Sequence, residues 1–327
     1  MRSIKHYTPG GDQTQDSGRL RDAKKPAKST KSTKSTKKFS LKSKNPPKSK
    51  PFSTRGNPQS VRRHAIYGIF TVIIGVGILS TAYYFMKWKI EVDVTDQQIG
   101  QAQEVSTITE VGDNESTDVI YNNENDDNPY WQYIKMNMID VDFTQLKQTN
   151  SATAGWIQLD GTNINYPYVQ TTDNDYYLQH SFDRTTNSAG WVFLDYRNKQ
   201  TLTSNQNSIL YAHGRVDGSM FGTLKNTLDS AWLDNTANHV VKISTPTEDT
   251  LWQVFSVYRT PVTSDYLQTE FESTGEYTRF LNMLQSRSIY SFPAHISQTD
   301  RILTLSTCIG TNDRVVLHAK LIKISRR

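Results

Sequence analysis

Leu303 to Leu321 reads LTLSTCIGTNDRVVLHAKL. A β-rich run from Arg301 to Thr307 ends at Cys308. Gly310, Asn312 and Asp313 then mark an exposed turn, and Arg314 opens a second β-rich run. Two apolar strands joined by a short polar turn set a cysteine and a cation at one edge of a sheet. Cys308 is the only cysteine in 327 residues, so the chain has no intrachain disulfide. Outside the cell an unpaired thiol is unusual unless it does chemistry.

Working outward from this stretch, β signals dominate the last half of the chain. Gly155–Leu159 alternates in polarity, Asp160-Gly161 is a hairpin-type turn, and Ile164–Gln170 follows as a strand. Its Pro167 indicates an edge or a bulge. Trp191–Leu194, Ser208–Tyr211, His239–Ile243, Leu251–Tyr258, Arg301–Ser306 and Arg314–Ile324 complete the set. Asp173–His180 fits a helical turn, and short helices fit Met220–Asn226 and Ser230–Leu233. A longer one fits Thr274–Gln285, capped by Ser273 or Thr274 with Glu276 nearby. Tyr130–Gln148 has near-helical apolar spacing and predicts one or two short helices. Eight strands with few helices predict a mainly β fold, a closed or nearly closed β-barrel.

The first part of the chain is built differently. Residues 1–64 carry 18 Lys+Arg against 3 Asp, a net of +15. The remaining residues then hold 19 basic and 29 acidic side chains, a net of −10. Ala65–Met86, AIYGIFTVIIGVGILSTAYYFM, is 22 residues without a formal charge. As a helix it spans about 33 Å, enough for a hydrocarbon core of about 30 Å. Tyr67, Tyr83, Tyr84 and Trp88 suit the headgroup layers, and Arg62, Arg63 and the upstream lysines weight the N-terminal flank. The expected organisation is a disordered basic cytoplasmic tail (1–64), an uncleaved transmembrane anchor (65–86), an extracellular acidic linker (87–128) and a catalytic domain (129–327). The expected location is therefore the cell membrane, single-pass, with the catalytic domain outside. The repeat KSTKSTKSTKK at 28–38 supports disorder of the tail. Such a tail suits anionic lipid or solvent, and nothing in it indicates nucleic-acid binding.

Cysteine attack needs a thiolate, a proton donor for the leaving group and donors for the oxyanion. Cys308 supplies the first and Arg314 the last. Seven histidines compete for the second role. His213 ends the strand SILYAH and precedes Gly214, the same strand-end setting as Cys308, while His318 and His180 stay open as alternatives. The histidines and carboxylates have no metal-ligand spacing, and no cofactor is expected.

The segments TLSTC (304–308) and RVVLHA (314–319) resemble the signature of sortases, the cysteine transpeptidases of Gram-positive bacteria. GWI (155–157), INYP (164–167), DNDYYL (173–178), FLDYR (193–197) and NSILYAHGRVDGSMF (207–221) resemble the class B group in order. The resemblance covers about 129–325. It implies an eight-stranded sortase β-barrel, with Cys308 as nucleophile, His213 as general acid/base and Arg314 as oxyanion or substrate-orienting residue. It also implies substrate-groove positions at Tyr211, Ser306 and Thr307. The implied partners are secreted proteins bearing a C-terminal sorting signal and an amine, either a peptidoglycan precursor or a pilin lysine. The turn between Cys308 and Arg314 is shorter than the group's pattern, and Ala212 and Gly214 flank His213 where Gly and Asn are commoner. An extracellular cysteine hydrolase, or a non-enzymatic binding module with a buried thiol, is the alternative reading of the same residues.

Overall fold

The computed structural model describes residues 58–120, 130–308 and 313–327. Two units are separated by their internal contacts, Met1–Arg63 and His64–Arg327. The expected tail lies almost wholly outside the described residues, as do the acidic cluster at 122–128 and most of the turn after Cys308.

Helix α1 (Pro58–Val105) is 48 residues long, about 72 Å at 1.5 Å per residue. Its Ile66–Met86 portion is apolar and exposed. The helix continues through the stretch expected as a linker. Lys87–Glu91 and Lys89–Asp93 are i,i+4 ion pairs that support the extension. Thr95, Gln98 and Ala102 are buried one turn apart, so the extension packs on the protein. That face mixes polar Thr95 and Gln98 with Ala102, Ile99 and Val105, which hides it from a search for an apolar stripe. Two short strands follow, β1 (Ile108–Val111) and β2 (Thr117–Val119). Residues 87–120 are therefore structured, not a loose stalk.

Between Tyr130 and Gln148 a helix α2 (Tyr130–Tyr133) precedes a strand, β3 (Met138–Val141), and a helix, α3 (Thr144–Thr149). The two short helices match the expectation; the strand between them was not expected, and it forms because β1 pairs with it and the Ser244 hydroxyl accepts the Val141 N–H at 3.1 Å. Strands β4 (Thr153–Leu159), β5 (Asn165–Val169), β6 (Phe193–Leu194) and β7 (Asn207–His213) come next. They are followed by helix α4 (Ser230–Leu233), β8 (Val240–Ser244), β9 (Glu248–Pro261), helix α5 (Thr274–Ser286), β10 (Ile302–Cys308) and β11 (Asp313–Arg326).

Eight of these strands close a barrel in the order β10-β7-β6-β5-β4-β8-β9-β11, with β11 returning to β10. Strand β2 pairs beyond β10 on the far end of β11. Closure removes the open sheet edges. Trp156, Trp252, Tyr168, Phe221 and Phe255 are fully buried; a side chain such as Phe255 contributes about 1.5–3 kcal/mol by leaving water. Helix α5 covers the barrel with Tyr277, Phe280, Leu281 and Leu284, the spacing of one helical face. As expected, Ser273 caps it by accepting the Glu276 N–H at 3.2 Å.

Two pairings position the site. Strands β7 and β10 run parallel, so their C-terminal ends lie side by side. Strands β10 and β11 are antiparallel, so the start of β11 meets the same end. A parallel neighbour requires a long crossover; here it carries β8, β9 and α5.

Candidate active site

Seven register pairs join β7 to β10, from Ile302↔Asn207 to Cys308↔His213. The backbones of the predicted nucleophile and base are therefore direct neighbours, although 94 residues lie between them in sequence. On the other side, Ser306 pairs with Val316. That is the last register pair; Cys308 lies two residues beyond Ser306 and Arg314 two residues before Val316, so both flank this end of the pairing. Arg314 also faces Thr260 of β9, is half-buried, and donates from Nη1 to the Asp313 carbonyl at 3.2 Å. The adjacent Asp313 pairs with Arg259 at 3.2 Å.

His213 is half-buried, and its Nε2 lies 2.8 Å from the Leu178 carbonyl oxygen. A carbonyl only accepts, so Nε2 carries the hydrogen and Nδ1 is the ring atom left for proton exchange. Leu178 ends the 3-10 turn Tyr176–Leu178 in the long β5–β6 connection. The segment after His213 is held as well: Phe221 N–H donates to the His213 carbonyl at 3.0 Å, and Gly214 bridges Met220. Met220 is buried with φ of 53°, a left-handed conformation unusual for its type. Arg215 and Asp217 form an ion pair of 2.6 Å across this turn, and Asp217 accepts from the Ser219 hydroxyl at 2.7 Å.

The three expected substrate-groove residues are buried and engaged internally. Tyr211 donates to Asp195 at 2.9 Å. Ser306 shares a hydrogen bond with the Tyr266 hydroxyl at 2.9 Å, and Thr307 accepts the Val315 N–H at 2.8 Å. These side chains brace the strand ends beneath the site. Asp195 is fully buried. Burial pushes its carboxyl up, but donors from Arg197 and Tyr211 outweigh that and leave it below the usual carboxylate range. Burial and the facing carboxylate push the Tyr211 hydroxyl well up, so it stays a donor.

The alternative bases are otherwise occupied. His318 is completely buried. The Thr304 hydroxyl donates to Asn207 at 2.7 Å, so its oxygen accepts from His318 Nδ1 at 2.9 Å, and Tyr258 donates to Nε2 at 2.9 Å. Burial, with Arg287 adding to it, pushes this imidazole down to about 3. His180 stacks on Tyr176 with ring centres 4.0 Å apart, and its Nδ1 lies 2.7 Å from the Tyr176 carbonyl.

Two features escaped the sequence reading. A backbone acceptor such as the Leu178 carbonyl has no residue signature. The Asp195–Arg197–Tyr211 cluster joins residues whose charges look like ordinary loop charges. A cavity of about 620 Å³ is lined by Asp140, Phe143 and Arg327, at the end of β11 opposite Arg314. Among the described residues no group of His, Cys, Asp and Glu is placed to hold a metal ion.

Comparison with known proteins agrees with this geometry. A family model described as the sortase domain matches residues 157–322. Sortase B of Staphylococcus aureus is 34% identical over 187 residues, covering 56% of this chain and 75% of that protein. Sortase B of Bacillus anthracis, solved in complex with AAEK1, is 35% identical with a TM-score of 0.57, covering 73% of this chain and 99% of that one. A sortase B complexed with triglycine is 34% identical with a TM-score of 0.52, covering 55% of this chain and 85% of that one. A closed eight-stranded barrel, a cysteine and a histidine in register at one end of it, and these similarities together establish that the chain belongs to the sortase family, in its class B group, whose members are cysteine transpeptidases.

Proposed function

We propose that Cys308, His213 and Arg314 carry the transpeptidation, and that the chain performs it from the outer face of a membrane. The Cys308 thiolate attacks a peptide carbonyl carbon near the C-terminus of a secreted protein. A C–S bond forms and the carbonyl oxygen becomes an oxyanion, which the Arg314 guanidinium stabilises. The imidazolium of His213 gives its Nδ1 proton to the departing amine as the C–N bond breaks. The resulting thioacyl-enzyme is then attacked by a second amine, whose proton His213 takes up, and the thiolate is released. A minority of enzyme in the thiolate–imidazolium form suffices for turnover.

The observation that carries this reading is the Cys308↔His213 register, with Arg314 at the start of β11 two residues before the Val316 that pairs with Ser306. Tyr211, Ser306 and Thr307 act in it by holding the strand ends against the substrate groove. The triglycine bound by a related sortase B supports an incoming amine of the oligoglycine kind, as in a peptidoglycan cross-bridge; a pilin lysine is the other amine of this chemistry. The exposed apolar residues of Ile66–Met86 and a mean hydropathy of 2.0 over an 18-residue window of α1 support a membrane anchor. The basic N-terminal flank supports a cytoplasmic tail (1–64) and an external catalytic domain. An anchored enzyme meets secreted substrates at raised effective concentration.

A sorting-signal peptide incubated with an amine tests the assignment. Cys308→Ala is expected to abolish both cleavage and transfer, and retained turnover would sink it. Equal product distributions with and without amine would instead indicate a hydrolase.

A further inference from the structure

We propose that the Glu91–Gln98 face of α1 is a positioning clamp for His213, acting through Asn187 and the connection that carries the Leu178 carbonyl. The proposal rests on His213 being the acid/base.

The connection of residues 170–192 lies between two partners. On one side Leu178 accepts from His213 Nε2 at 2.8 Å. On the other, Asn187 Nδ2 donates to Thr95 Oγ1 at 3.0 Å and to the Glu91 carbonyl at 3.3 Å. Ser188 donates to the Glu91 carboxylate, and Asp183 N–H donates to Gln98 Oε1 at 3.3 Å. Asn187 and Thr95 are 2% and 1% exposed, so their hydrogen bonds have no competing water and are costly to lose.

The two partners are linked through a few bonds. Asn187 N–H donates to Gln179 O at 2.9 Å, and Trp191 N–H donates to Tyr177 O at 2.9 Å. These anchor the residues on either side of Leu178. The Asn187 carboxamide oxygen accepts Ala189 N–H at 2.9 Å, so one side chain shapes the turn with its oxygen and grips the helix with its nitrogen. Lower down, the helix–barrel contact encloses a cavity of about 160 Å³ lined by Gln98, Ala102, Val105 and Phe182. Apolar packing there is incomplete, and the polar contacts at 91–98 set the registry of helix and loop. A shift of about 1 Å in the Leu178 carbonyl would release Nε2–H and free the ring to adopt the other tautomer, which removes Nδ1 as the atom in exchange.

The test uses the full chain in lipid nanodiscs with ¹⁵N-labelled histidine and iodoacetamide as the probe of Cys308. His213→Ala assigns the His213 signals. The unmodified chain is expected to show His213 as the Nε2–H tautomer. Thr95→Val, nearly isosteric and remote from the barrel interior, and Asn187→Ala are each expected to give mixed tautomers. Both variants should also slow Cys308 alkylation at pH 7 by about threefold or more. Thr95→Ser keeps the hydroxyl and should restore both readouts. Unchanged His213 signals in Thr95→Val and Asn187→Ala overturn the clamp, and so does loss of thermal stability without any change in tautomer or alkylation. His213→Ala that still transfers at the normal rate overturns the acid/base reading, and with it the catalytic role of the clamp, whatever the tautomer in the other variants.

Discussion

His213 and His318 have the same side chain and opposite environments. His213 sits at a strand end with one ring nitrogen bonded to a carbonyl. His318 sits inside β11, enclosed by Thr304, Tyr258 and Phe255. Its pKa falls from an ordinary value near 6.5 to about 3 on folding. The unfolded chain therefore takes up a proton that the folded chain refuses, so stability drops as pH falls from about 6.5 towards 3. Between pH 6.5 and 4.5 the loss is on the order of 2–3 kcal/mol, at 1.36 kcal/mol per unit. Denaturant unfolding across this window should show that fall in the native sequence. His318→Gln should be weaker at neutral pH but flatter with acidification, and an unaltered slope would contradict the assignment. His239, also pushed down by burial, contributes to both curves alike. Sequence could not separate these histidines, because what differs is solvent access.

Among the elements, the β5–β6 connection is the one whose shape matters most and whose sequence says least. Gly190 holds it closed: φ is +61°, and a Cβ there would run into the Tyr177 carbonyl. Gly190→Ala combines backbone strain with that collision, costing on the order of 1–3 kcal/mol. It should reduce transfer activity by more than its loss of stability predicts, since Tyr177 adjoins Leu178; activity measured well below the melting temperature checks this. Helix α5 provides a contrast. Its cap, apolar spacing and length could all be read from local sequence, and the structure bears them out. Ser273→Ala should cost about 1 kcal/mol, seen in thermal unfolding, and leave catalysis unaffected at 25 °C. Helix α1 beyond Met86 is hard to read from sequence because its buried face mixes polar Thr95 and Gln98 with Ala102, Ile99 and Val105 and so shows no continuous apolar stripe.

At the scale of the molecule, α1 joins an apolar, lipid-suited segment to the face that grips the barrel. Full-length protein should stay in the membrane pellet after alkaline carbonate extraction, whereas a chain beginning at Lys87 should appear in the supernatant; release of the full-length chain would contradict the anchor. The sequence by itself determined the β-rich class, the apolar span and the charge asymmetry, and it offered Cys308 and Arg314 by their strand-end settings, with His213 still set beside His318 and His180 as the candidate base. Each of these is a local property: side-chain chemistry, period, or composition within a window. Tertiary structure decided that His318 is enclosed while His213 is half-buried, that Tyr211, Ser306 and Thr307 are buried and hydrogen-bonded internally, and that residues 87–120 belong to the folded part. Those outcomes depend on barrel closure. The parallel register of β7 with β10 and the antiparallel return of β11 bring distant residues to one end, and burial there sets which groups stay charged, paired or free to exchange a proton.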